Sequence, residues 1–138
     1  MTIGTGANFS NGFLAAAAAN PTTTITEGRI VRQVPNGANA GRVERATAET
    51  QIPLGVASYM DDRVGGAVGV VQHGRTYAEY GGVVQPGGAV MSDANGACVA
   101  AVGPCWVLGF HVGTADSAAG VDAMTFVNPF YTDAVGSV

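Results

Sequence analysis

Few side chains in this sequence could do chemistry, and their spacing argues against most of it. His73 and His111 are its two histidines, and Ser10, Ser58, Ser92, Ser117 and Ser137 are its serines. An acyl-transfer triad needs a serine within reach of an imidazole that a carboxylate orients. No serine here stands in a Gly-x-Ser-x-Gly elbow. His73 reads as a turn residue and His111 as a surface or interface residue. Asp61-Asp62 offers paired carboxylates, but adjacent side chains on a strand or loop point apart, and Arg63 beside them marks a solvated tip. Cys98 and Cys105, seven positions apart, have neither redox nor zinc spacing. They read as small apolar residues of adjacent strands, with a disulfide as the alternative.

Ion and phosphate binding are no better supplied. Asp93-Ala-Asn-Gly96 lacks the alternating oxygen ligands and distal Glu of a calcium loop and reads as a hairpin turn. A phosphate loop ends in Gly-Lys-Ser/Thr, and this chain has no lysine. The same lack excludes the duplicated carrier domains that bear a modified lysine. The reading is therefore of no catalytic residue, no metal site and no cofactor, in a protein that is not an enzyme. One alternative is a carbohydrate- or receptor-binding face made by Tyr59, Tyr77 and Tyr80 with Arg75, since stacked rings and a bidentate donor suit sugars. Trp106 is expected to be partly buried, and Pro129-Phe-Tyr131 to be a contact element.

The elements that hold these residues are written twice. Ile25-Thr-Glu-Gly28, Arg29-Ile-Val31, Asn36-Gly37, Arg42-Val-Glu-Arg-Ala46 and Pro53-Leu-Gly-Val-Ala57 are answered by Val84-Gln-Pro-Gly87, Gly88-Ala-Val90, Asn95-Gly96, Ala97-Cys-Val-Ala-Ala101 and Val107-Leu-Gly-Phe110. The offset is 59 from Gly28 to Gly87 and from Gly37 to Gly96, and falls to 54 from Leu54 to Leu108, so the second repeat is five residues shorter. Such duplication points to two half-modules that cover each other's apolar faces. β-branched runs between Gly, Pro, Asn and Asp predict short strands and tight hairpins. The fold class expected is all-β, a small internally duplicated barrel- or sandwich-like domain with an extended N-terminal arm.

The arm spans 1–21 and the β-rich domain 22–138, with pseudo-repeats at about 25–74 and 84–129. The arm is rich in Gly, Ala, Asn and Thr and cannot build a core, so it is expected to order against a partner through Phe9, Phe13 and Leu14. Charged residues make up only 12% of the 138, where about a quarter is usual, and the net charge is −4. That balance disfavours nucleic acid as a partner. Residues 13–19 are too short and too weakly apolar for a signal core or a membrane span. A chain made in the cytoplasm, with no membrane partner, is expected.

The order of these motifs, ending with the second Gly-x-x-Val round and Asp93-Ala-Asn-Gly96, resembles the bacteriophage capsid decoration, or cement, proteins over roughly residues 22–128. The resemblance implies a small β-domain with an N-terminal arm that sits on the outside of a phage head, made in the host cytoplasm. There it would bind the major capsid protein and stabilise the shell lattice against internal pressure. It also implies a homo-oligomer, a trimer or dimer. Arg29, Arg32, Arg42 and Arg45 fall on adjacent predicted strands, and two or more of them are expected to meet carboxylates of the shell.

Overall fold

The computed structural model describes residues 13–17, 25–60 and 66–137, with side chains described for 25–58 and 66–133. Among them there are ten strands and no helix. In chain order they are β1 (Phe13–Ala17), β2 (Ile30–Gln33), β3 (Val43–Arg45), β4 (Gly55–Met60), β5 (Ala67–Val71), β6 (Gly74–Glu79), β7 (Ala89–Ser92), β8 (Cys98–Ala100), β9 (Val102–His111) and β10 (Asp122–Ser137). They form two antiparallel five-stranded sheets, ordered β1-β5-β4-β2-β3 and β6-β10-β9-β7-β8. Adding five to each strand of the first sheet gives the second.

The duplication extends to single hydrogen bonds. Val31 pairs with Gly55 and Arg45 in the first sheet, as Val90 pairs with Gly109 and Ala100 in the second. Gly28 N–H donates to Ala57 O at 2.8 Å, and Gly87 N–H to His111 O at 2.6 Å. The turn glycines match as well: φ is 86° and 85° at Gly28 and Gly87, and 88° and 74° at Gly37 and Gly96. Positive φ explains why both Asn-Gly turns carry glycine at that place. Most of the length difference is a loop, 38–41, that prolongs the first repeat's hairpin after Gly37.

Residues 13–17, which the sequence reading assigns to an arm outside the repeat, lie in the first sheet. β1 pairs with β5 from Phe13↔Val71 to Ala17↔Ala67, the place that β6 takes against β10 in the second sheet. The arm residue Phe9 lies outside the described residues, as do Asp61, Asp62 and Arg63.

One cluster of buried residues joins the sheets. Ile30, Ala46, Val56 and Val71 from the first repeat pack with Tyr80, Val84, Val90, Cys98, Leu108 and Val127. The two sheets do not contribute the same face. Ile30 corresponds to Ala89, which lies in a separate cluster with Ala101, Cys105 and Val107, whereas Val90 corresponds to Val31, which lies with Ile25, Val43, Ala57, Val68 and Val70. The outer face of the first sheet therefore closes the core of the second. The packing is front to back.

Gly55 and Gly109 hold equivalent places where the neighbouring strand passes very close. A Cβ at Gly55 would run into the carbonyl oxygen of Val71, and one at Gly109 into that of Phe126. Gly109→Ala is expected to lower the unfolding free energy by about 2 kcal/mol or more, because strand backbones must move apart. Gly82→Ala, with nothing within 4 Å of the added carbon, should stay within about 0.5 kcal/mol of the parent. Urea titrations of the two variants check the pair.

Candidate interaction surface

The residues that looked reactive are mostly structural. Tyr80 is fully buried, and its hydroxyl lies 2.7 Å from Thr125 Oγ1. His111 is also buried, with its ring edge-on to Tyr80 at 5.2 Å. Its Nε2 lies 2.7 Å from Ala115 O, and its Nδ1 lies 3.3 Å from Met124 O and 3.5 Å from Gly113 N. The surface position expected for His111 is thus corrected: the ring fills the core and closes the 112–116 loop onto β9. The first repeat has Ala57 at the same register, so no internal comparison of sequence marks the site as large and polar.

Burial of Tyr80 also removes the proposed sugar face. Tyr77, on β6, is 62% exposed while Tyr80 is 0% exposed, so the two rings present no common surface. The side chain of Tyr59 lies outside the described ones. His73 sits at a bend between β5 and β6, exposed, with its ring edge-on to Phe126 at 5.2 Å. Cys98 and Cys105 are both buried and free. Their strands, β8 and β9, flank β7 rather than each other, which corrects the adjacency read from the sequence. Asp93 closes its hairpin turn by accepting from Asn95 N–H at 2.7 Å and Ala97 N–H at 2.9 Å. Among the described residues no three His, Cys, Asp or Glu side chains come together to hold a metal ion.

The arginines separate by partner. Arg29 bridges the repeats, with Nη2 3.0 Å from Glu79 Oε2 and Nη1 donating to Asn95 O at 2.7 Å. Arg32 pairs with Glu44 across β2 and β3 at 2.8 Å. Arg42 donates to Asn39 Oδ1 at 3.4 Å. The Arg45 stem lies against Gly96. Nε of both Arg29 and Arg45 is buried with no hydrogen-bond partner among the described residues. Two of the four cations are therefore already neutralised within the chain.

The exposed apolar surface lies in part where β9 and β10 run on beyond the rest of their sheet. Trp106 pairs with Tyr131 and Val102 with Ser137, so this ribbon continues past the paired span of the other strands. Trp106 and Tyr131 stack edge to face at 5.5 Å. Val102 and Tyr131 are each at least half exposed, and Pro104 lies between Val102 and Trp106 on the same exposed side of β9. Phe130 turns the other way and stacks on Phe110. The ribbon is held down by Trp106 N–H, which donates to Glu49 O of the first repeat at 2.9 Å. The sequence signal for this strip was the aromatic pair of Pro129-Phe-Tyr131. Its continuation through Val102 and Trp106 depends on strand pairing.

Fold and surface together define an internally duplicated, two-sheet all-β protein with an apolar ribbon. No family model matches the sequence, and no curated protein matches it. Among solved structures, the fold is similar to the N base of head fiber gp8.5 of bacteriophage phi29. That similarity has a TM-score of 0.65 and 18% identity, and covers 84% of this chain and 92% of that one.

Burial pushes the Tyr80 hydroxyl and the Cys98 thiol well above their usual ranges, so both are neutral in the fold. In the unfolded chain they ionise from about pH 8.5 to 10. Protons then leave the unfolded state first, so stability is full below that window and falls as pH rises through it. Tyr80→Phe should lose about 1 kcal/mol at neutral pH and show a shallower alkaline decline than the parent. Thermal unfolding at a series of pH values from neutral into that range reads both effects.

Proposed function

We propose that this chain is a structural protein of a phage virion, on the outer surface of the head, that binds the major capsid protein and holds neighbouring subunits together. The fold shared with the phi29 head fiber base over most of both chains carries the reading. The decoration-protein motif order supports it independently, as does a surface with few charges and an apolar ribbon of the kind that partner proteins cover. Binding is the whole mechanism. The strip of Val102, Trp106 and Tyr131 supplies apolar contact. Of the four clustered arginines, Arg42 has neither a salt bridge nor a buried unpartnered Nε among the described residues, and it is the one that would meet an acidic group of the shell.

The N-terminal segment adds to this attachment through Phe9, with Phe13 and Leu14 on β1 at the sheet edge. An edge strand can extend the sheet into a partner. Removing residues 1–21 would strip β1 from the sheet, so the informative truncation is 1–12. The full chain is expected to cosediment with heads of the phage that encodes it. Residues 13–138 alone, and Trp106→Ala in the full chain, are each expected to bind at least about tenfold more weakly. No uptake of the full chain would remove the head-binding proposal. Undiminished uptake of a variant would remove only that variant's segment from the contact.

A further inference from the structure

The contact between the two repeats has a receiving side and an inserted turn. The receiving side is the end of β2 and β3, which supplies the hydrogen-bond donors. Ile30 N–H donates to Gly96 O at 2.8 Å, and the Arg29 guanidinium donates to Asn95 O at 2.7 Å. A side chain at Gly96 would lie 2.7 Å from Arg45 Cγ and 3.1 to 3.2 Å from the carbonyl oxygens of Ile30 and Ala46. The inserted turn is 93–96 in the β7–β8 hairpin, whose carbonyl oxygens accept. Because the packing is front to back, each side has an equivalent elsewhere in the molecule that the internal contact does not use.

The unused receiving side is an open cleft. By strand register, Arg29, Ile30, Arg45 and Ala46 correspond to Gly88, Ala89, Ala100 and Ala101. Those four residues, with Val83 at the rim, line a space of about 300 Å³. The unused turn is Val34-Pro35-Asn36-Gly37, which corresponds to Asp93-Ala94-Asn95-Gly96. It keeps the Asn-Gly pair and the positive φ, is exposed from Pro35 to Ala38, and has nothing within 4 Å of a Cβ built on Gly37.

Charge has changed on both sides together. The cleft has Gly88 and Ala100 where the first repeat has arginines, and the turn has Val34 where the second repeat has Asp93. The turn and the cleft are both neutral. Val83 and Ile52, 67% and 63% exposed, lie at the cleft and beside the turn.

We infer that a second copy of this chain inserts its Pro35–Gly37 turn into the cleft between Ala89 and Ala100, repeating between chains the contact that joins the repeats within one. Each chain then gives one turn and receives one. The contact is head to tail, and it closes into a ring or runs on according to the rotation between chains. It rests on the internal duplication and not on the head-binding proposal, and its test needs the protein alone.

Ala100 and Asn36 are both exposed, so Ala100→Glu and Asn36→Glu leave the core intact, which circular dichroism verifies. Light scattering of the full chain over about 1 to 100 μM spans the affinities such a contact would give. The parent is expected to self-associate, and each variant to do so at least about tenfold more weakly. An equimolar mixture of the variants should form a two-chain complex and nothing larger, since only one turn and one cleft remain intact. A parent that stays monomeric throughout, association that neither substitution weakens, or variants that fail to pair on mixing would each overturn the inference.

Discussion

The structure depends on one sheet closing the core of the other. Ile30, Ala46, Val56 and Val71 lie on the outside of the first sheet and against Tyr80, Val90, Leu108 and Val127 of the second. Burying a side chain of Val, Leu or Ile size contributes about 1.5 to 3 kcal/mol, and the net stability of a domain is about 5 to 15 kcal/mol. A cluster of this size is thus comparable with the whole margin, so the two repeats are expected to unfold as one unit. Several of the groups that could have done chemistry lie in or beside this contact. Tyr80, His111, Thr125 and Cys98 are buried, with the Tyr80 hydroxyl against Thr125 Oγ1 and His111 Nε2 against Ala115 O.

Front-to-back packing also explains why the repeats have diverged. In a two-fold arrangement equivalent residues meet equivalent surroundings and can stay alike. Here each pair of equivalents faces different neighbours. Ile30 fills the shared core while Ala89 lines an open cleft. Ala57 is matched by His111, and the Arg32–Glu44 pair across β2 and β3 is matched by Met91 and Val99. Arg29 and Arg45 clasp the 95–96 turn of the other repeat, and the second repeat has lost both. The lengthened β9–β10 ribbon has no counterpart among the described residues of the first sheet.

Parts of the fold were legible in residue order. The β-branched runs marked strands, the Asn-Gly pairs marked hairpins, and the offsets of 59 and 54 aligned glycines that share φ angles and close approaches. β1 was not legible, because Phe-Leu-Ala-Ala-Ala has weak strand propensity and becomes a strand only by pairing with the open edge of β5. The arginine cluster was legible as a composition but not as a surface: spacing cannot tell that Glu79 and Asn95, 50 and 66 positions away, would take up Arg29. Tyr77 and Tyr80 show the same limit. Three positions apart in sequence, they face solvent and core because β6 alternates and ends between them.

The sequence by itself determined an all-β duplication, its turns, and the poverty of reactive groups, since each of these follows from local φ preference, side-chain branching and residue type. Only the tertiary structure decided which face of each sheet is inside, because a period-2 strand offers both faces and the choice falls to the sheet that packs against it. That choice buried His111 and Tyr80, paired Arg29 within the chain, and left one turn and one cleft without their internal partners.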